Sequence, residues 1–297
     1  MAIWQTKAWG EMLKNSGQAK DIFEIDEIFV EKRKISFGKY GLFVIGLDKN
    51  ITEETRLKLQ ALCKQEKALF IQIETIFYDK KIEFLKGKTC QTGYYKKFIP
   101  PFTAVIDLKK SEEEIFADMK PKGRYNIRLA EKKGVECHVV EKNEKNITDF
   151  FSLMQETCSR DNFAGNTLTY YKYFLEKIQG SELISASFEG KIIASGIFVF
   201  DTEVSFYYYG ASSNTYRNLM APYLLQWTVI QEAKKRRSKI YDFLGIASPG
   251  EKNSPLAGVT EFKTKLSQDT RKVSESFIFV ENKVMYFLIM GLRKLKN

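Results

Sequence analysis

Arg124, Arg128 and Lys132 recur four residues apart downstream of Pro121. Proline suits the first turn of a helix, and on a helix this spacing sets the three cations on one face. Lys122 precedes them, and Tyr125 and Asn126 lie beside them. Like charges so arranged repel unless an anion lies against them, so the stripe suits a phosphate backbone. A solvated helix laced with Arg–Glu pairs is the plainer reading.

A second segment, 206–227, runs from the consecutive Tyr207, Tyr208 and Tyr209 through Gly210 and a polar loop into a helix near Pro222. On a strand these tyrosines alternate faces, so at most two reach any one cleft. Amides at the helix start favour an anion or a developing oxyanion. Arg217, on the approach, could hold a carboxylate or phosphate, or simply pin its loop. The third segment, 241–266, reads as a strand, a Gly/Ser/Pro-rich loop, and Phe262-Lys263 opening an apolar–basic alternation. A lysine delivered there could stabilise the negative charge of acyl transfer. As a surface residue it would instead pair with Glu261 or Asp269.

The rest of the composition narrows the chemistry. The only histidine, His138, sits in an alternating run where a structural role is expected, so a histidine-based metal site or an imidazole-based triad is hard to build. Cys63, Cys90, Cys137 and Cys158 lack zinc-knuckle or redox spacing, which predicts reduced thiols and no metal site. Lysine and arginine number 47 against 37 acidic residues, a formal charge of +10. That surplus favours polyanionic partners over a merely soluble basic protein only when a site for them exists. The first residues lack the pattern of a secretory signal, and no stretch has the length of a membrane span. The tail 284–295 (VMYFLIMGLRKL), with Arg293, Lys294 and Lys296, reads as a basic amphipathic helix suited to packing or to a membrane surface.

The elements that must position these residues follow from periodicity. A helix is predicted over 4–14, with alternating segments at 21–30 and 41–46. Thr52 opens another helix, and 68–74 is a buried strand, which together make a β-α-β opening. Then come a strand at 103–108, short helices at 112–119 and from Pro121, a strand at 135–141, and helices at 147–161 and 168–178. Strands at 183–189, 191–200 and 203–210 form a meander whose first turn is Glu189-Gly190-Lys191. A helix at 222–236 and strands at 239–243 and 274–280 complete the set. The predicted class is α/β (α+β): two tandem N-acetyltransferase-like domains with mixed sheets. The first would span 1–145, with 268–297 returning to it, and the second 146–267. The loop that wraps coenzyme A in acetyltransferases reads Arg217-Asn218-Leu219-Met220-Ala221-Pro222 here. Bulky residues fill it and Pro222 removes an amide donor, so the cradle is lost.

Taken in order, several motifs resemble the FemABX family of tRNA-dependent peptidyltransferases. They are Trp4-Gln5-x-x-x-Trp9, Thr103–Leu108 and Lys122-x-Arg124-Tyr125-Asn126-Ile127-Arg128-x-Ala130. Tyr208-Tyr209-Gly210-x-Ser212, Tyr241-Asp242-Phe243-x-Gly245-Ile246 and Phe262-Lys263 continue the series. The resemblance covers about residues 4–266. It implies transfer of an amino acid from aminoacyl-tRNA, the co-substrate, to a side-chain amine of a nucleotide- or lipid-linked peptidoglycan precursor. No cofactor is implied. Lys263 with Phe262 would lie near the aminoacyl ester. Arg217 would meet precursor phosphates, with Tyr208, Tyr216, Tyr241 and Asp107 contacting substrate. Lys122, Arg124, Arg128 and Lys132 would face the tRNA. The reaction would run in the cytoplasm, at the inner face of the membrane if the basic tail helix touches lipid. The family's Tyr-x-Pro-Arg-Gly-Pro stretch reads Phe43-Val44-Ile45-Gly46-Leu47 here, and Lys-Lys-Gly-Phe-Gly reads Lys263-Thr264-Lys265-Leu266-Ser267. Two other readings stay open: a diverged N-acyltransferase for an amine of a polysaccharide or protein, and a non-catalytic nucleic-acid-binding module.

Overall fold

The computed structural model describes residues 3–77, 91–251 and 253–295. Cys90, Lys252 and Lys296 lie outside that range. The chain divides into two compact units, one of Met1–Pro101 with Lys272–Asn297 and one of Phe102–Arg271.

In the first unit, Thr6 caps α1 (Lys7–Asn15) by accepting from the Trp9 amide. The segment 21–30, read from the sequence as one alternating run, is broken into a hairpin, β1 (Asp21–Ile25) and β2 (Ile28–Lys34). Asp26 and Glu27 both take positive φ, 49° and 60°, as a two-residue turn between twisted strands requires. β3 (Tyr40–Leu47) pairs with β2, and α2 (Glu53–Gln65), capped by Thr52, carries the chain to β4 (Phe70–Thr75), which runs parallel to β3. This is the β-α-β opening expected from the sequence. One sheet face packs Leu42, Val44, Ile71 and Ile73 with Leu59 and Leu62 of α2. The other face buries acid. Trp9 Nε1 donates to Glu31 Oε1 at 2.9 Å, and Glu74, wholly buried, accepts from the amides of Phe98 and Ile99 and from Gln72 Nε2. Loss of water pushes the Glu74 carboxyl up to about 7. β5 is the short strand Gln91–Thr92.

The second unit opens with β6 (Phe102–Asp107), then α3 (Glu112–Asp118), where Ser111 and Glu114 form a reciprocal capping box. α4 (Pro121–Lys132), β7 (Glu136–Val140), α5 (Glu144–Asp161) and α6 (Leu168–Lys177) follow. The meander is β8 (Ser181–Phe188), β9 (Lys191–Val199) and β10 (Val204–Ser212), with Glu189 and Gly190 at positive φ in its first turn. α7 (Ala221–Lys235), β11 (Ile240–Asp242), α8 (Ala257–Leu266) and β12 (Thr270–Lys272) complete it. The sheet order is β12-β6-β11-β10-β9-β8-β7.

β6 lies between β12 and β11, with Ile106 opposite Tyr241. That pairing ties residues from Phe102 onward to the second unit, so the boundary expected at 145/146 lies at Pro101/Phe102 instead. Phe262-Lys263, read from the sequence as opening an apolar–basic alternation, stand on the helix α8. His138 sits exposed on β7.

The chain then returns to the first unit. β13 (Ser276–Val280) inserts between β4 and β5, antiparallel to both, and α9 (Lys283–Lys294) follows. The expected return of the tail is observed.

Candidate functional site

In the second unit β10 and β11 run side by side in parallel, with Phe206 opposite Asp242 as their last pair. Beyond it β10 continues to Ser212, while the other chain turns away at Leu244, whose φ is +53°. A crevice beyond the carboxyl ends of parallel strands is where α/β sheets place ligands. A leucine in left-handed backbone is unusual, and such strain is kept where the surroundings hold it. Here Asp242 Oδ1 accepts from the Leu244 amide at 2.7 Å and from the Thr103 hydroxyl. The turn therefore presents two consecutive carbonyls in one direction.

Lys263 uses them. Its Nζ donates to Leu244 O at 2.6 Å and to Gly245 O at 2.8 Å, and lies 5.7 Å from the centroid of the Tyr207 ring. An ammonium has three donors, so two carbonyls leave one for a reactant. The lysine is 7% exposed. Burial pulls it down to about 7, against Asp242, whose charge works the other way. The Lys263–Glu261 or Lys263–Asp269 pair that a surface lysine would make is not formed, because Glu261 holds Lys265 and Asp269 holds Arg271. Phe262, one residue back on α8, packs edge-on against Tyr223 of α7, with centroids 5.0 Å apart.

The tyrosines do not alternate as expected. A bulge between Tyr207 and Tyr209 shifts the register of β10 against β9. Tyr207 stacks on Phe198 at 5.5 Å and folds back over Gly210, where any side chain would collide with its ring. Tyr208 and Tyr209 both meet Phe174 of α6, at 4.8 and 5.6 Å, and the Tyr209 hydroxyl bonds that of Tyr170 at 2.9 Å.

Two expected substrate contacts are corrected. Tyr241 is wholly buried, with its hydroxyl donating to Gln226 Oε1 at 2.7 Å and its ring against Phe243, so it is a core residue. Asp107 pairs with Ile240, and its carboxylate accepts from the Lys109 amide. Ile240 precedes Leu244 by four residues, about 13 Å of extended chain, so Asp107 stands at the far end of β11 from Lys263. Tyr216 is half-buried with its ring 6.2 Å from Phe188, and Arg217 is exposed at the start of a single 3-10 turn, Arg217–Leu219. Met220 caps α7 in left-handed conformation, with Pro222 in the first turn.

The cationic stripe of α4 divides. Arg124 turns inward and donates to Ala117 O at 2.9 Å and to Met119 O, satisfying the carbonyl end of α3. One nitrogen of its guanidinium thus serves as a helix cap. Arg128 lies over Phe116, Lys122 over Tyr125, and Lys132 is exposed. Arg124, Arg128 and Lys132 line an open groove of about 430 Å³ together with Pro121, Tyr125 and Leu129. α4 and α8 touch: the Lys120 amide donates to Lys265 O at 3.1 Å, and a side chain at Gly123 would strike that same carbonyl. Among the described residues no cluster of histidine, cysteine and carboxylate side chains could hold a metal ion.

Lys263 is legible in the sequence as a candidate, whereas the Leu244 and Gly245 carbonyls that hold it, and Asp242 with Thr103 that fix their turn, are not. Asp242 was in view as part of Tyr241-Asp242-Phe243. A charged residue within an apolar strand is the signal that marks it, since burial of a carboxylate demands partners.

The sequence model of the FemAB family matches residues 85–187 and 177–294. The lipid II:glycine glycyltransferase of Staphylococcus haemolyticus (strain JCSC1435) is 25% identical, over 82% of this chain and 76% of its own. The crystal structure of FemX superposes with a TM-score of 0.80 at 17% identity, over 97% of this chain and 94% of that one. A tandem GNAT protein from the clavulanic acid pathway gives a TM-score of 0.52 at 10% identity, over 84% and 78%. These two likenesses bear on fold, and they agree with a pair of acetyltransferase-like units. With more than half of its length matched, the chain belongs to the FemAB family.

Proposed function

We propose that this protein is an aminoacyltransferase of cell-wall bridge formation, moving an amino acid from aminoacyl-tRNA to the side-chain amine of a peptidoglycan precursor. The observation that supports it most is the buried Lys263 ammonium site at the end of the β10–β11 pair, in a chain similar over 82% of its length to a lipid II:glycine glycyltransferase. The acceptor amine attacks the ester carbonyl, the C–O bond to the ribose breaks, and an amide bond forms. The amine loses a proton and the ribose oxygen gains one. The tetrahedral intermediate carries a negative oxygen, which the remaining donor of Lys263 stabilises. The ester supplies the activated acyl group, so the reading calls for no cofactor.

The donor would lie along α4, its phosphates against Lys122, Arg124, Arg128 and Lys132, with its acceptor end reaching α8 where the two helices touch. Arg217, exposed before α7, would take a phosphate of the precursor, with Tyr216 and Tyr208 nearby in the chain. A charged tRNA places the reaction in the cytoplasm.

The test incubates the protein with tRNA charged with labelled amino acids and with lipid II or its nucleotide-linked precursor. Labelled branched precursor is expected, with the Lys263→Met rate down by about a hundredfold, the scale of losing one oxyanion donor. No transfer from any charged tRNA, with transfer from an acyl-CoA to another amine, would replace this reading by the N-acyltransferase one.

A further inference from the structure

The last helix of the first unit carries an apolar face that the fold leaves bare. In α9, Tyr286 and Ile289 are buried, and Arg293 donates to Tyr95 O at 2.9 Å while its guanidinium stacks 4.0 Å from the Tyr95 ring. These fix one side of the helix to the unit. The opposite side presents Val284, Phe287, Leu288, Leu292 and Leu295, with Phe287 61% and Val284 83% exposed. Their spacing of three and four residues, continued by the exposed Gly291, makes one unbroken stripe along the helix. An aqueous face has no use for five large apolar side chains in a row, and such a patch marks a surface that is covered in use.

Charge identifies what covers it. The first unit holds 23 lysines and arginines against 15 acidic residues, most of the chain's surplus of +10. Lys283 opens the helix, and the segment held by Arg293 exposes Lys96 and Lys97, the latter 4.7 Å from the centroid of the exposed Tyr94 ring. A second copy of this chain would bring like charge against like. An anionic bilayer answers both features, taking the apolar stripe among its acyl chains and the lysines at its headgroups. No helix among the described residues is long and apolar enough to cross a membrane, so the contact lies in the interface plane.

We propose that α9 docks this protein on an anionic membrane surface, with Val284, Phe287, Leu288, Leu292 and Leu295 inserted. Docking of this kind deepens the proposed function by favouring the lipid-linked over the nucleotide-linked precursor as acceptor.

The experiment is co-sedimentation of the full chain with vesicles of equal parts phosphatidylglycerol and phosphatidylcholine, and with vesicles of phosphatidylcholine alone. Binding to the anionic vesicles is expected, weakened at least about tenfold by the paired substitution Phe287→Ser and Leu288→Ser, with the circular dichroism spectrum unchanged. Because the measurement contains no substrate, its failure leaves the transfer reading standing, and failed transfer leaves it standing in turn. No binding by the unaltered chain, or equal binding by the variant, overturns the proposal. So does a concentration-dependent dimer, seen by analytical ultracentrifugation, that the same substitutions abolish.

Discussion

Lys263 is costly to the fold, and the sign of that cost can be measured. Its pKa is held near 7, below the 10.5 of the free side chain, so between those values the unfolded chain binds a proton that the folded one does not. Stability from this group therefore rises as pH climbs from about 7 to 10.5, and the burden is full below 7. Lys263→Met, which keeps the length and removes the charge, is expected to unfold at higher denaturant than the parent at pH 6, by a few kcal/mol, roughly what such a shift implies. That advantage should shrink steadily toward pH 10. A constant difference at all pH values would show that the lysine is not held as a strained cation. Catalysis runs the other way: if the ammonium is the working form, kcat falls as pH rises through about 7. Asp242 favours the charged form, so Asp242→Asn should move that falling limb to lower pH, whereas mere loss of the turn would lower the whole profile without moving it.

α8 and α4 decide where that lysine stands, and their contact is tight enough to test. Gly123 lets the first turn of α4 approach Lys265 O, and a methyl there must push one helix off the other. Gly123→Ala gains helix propensity of about 1 kcal/mol yet should lose net stability, by about 1–3 kcal/mol from overpacking, and slow transfer. An unchanged melting temperature would show that the helices part freely. This is also the scale at which the sequence was legible, and where it failed. Caps announced themselves: Thr52 and Pro121 both start helices as their chemistry demands. α8 did not, because Leu256 at its start supplies no side-chain cap and the residues before it are turn-formers. The bulge at Tyr208 was equally silent, since no glycine or proline marks it and only pairing with β9 reveals it. Tyr241 and Asp107 went astray for a related reason: a strand's pattern tells which faces alternate, and register with β6 tells which end meets the lysine. Arg124 looked like a free cation because the carbonyls it caps belong to a different helix.

At the level of the whole chain, the surplus of positive charge sets how partners are held. If Arg128 and Lys132 contact tRNA phosphates, Arg128→Ala with Lys132→Ala should weaken tRNA binding and flatten its dependence on log salt by about two units, nearly one per lost contact. An unaltered slope would remove α4 from the tRNA path. The placement of β13 has another outcome, which concerns synthesis. The second unit is one continuous stretch, Phe102–Arg271, whereas the first has β13 inserted between β4 and β5 and cannot close until residues 276–280 have been made. As the ribosome proceeds from the N-terminus, the half that begins the chain is therefore the half that finishes folding last, and β4 waits with an open edge while the second unit is translated. A chain stopped after Arg271 should yield, under brief protease treatment, a resistant fragment from the second unit and none from the first. Survival of both would mean that β4 needs no late partner.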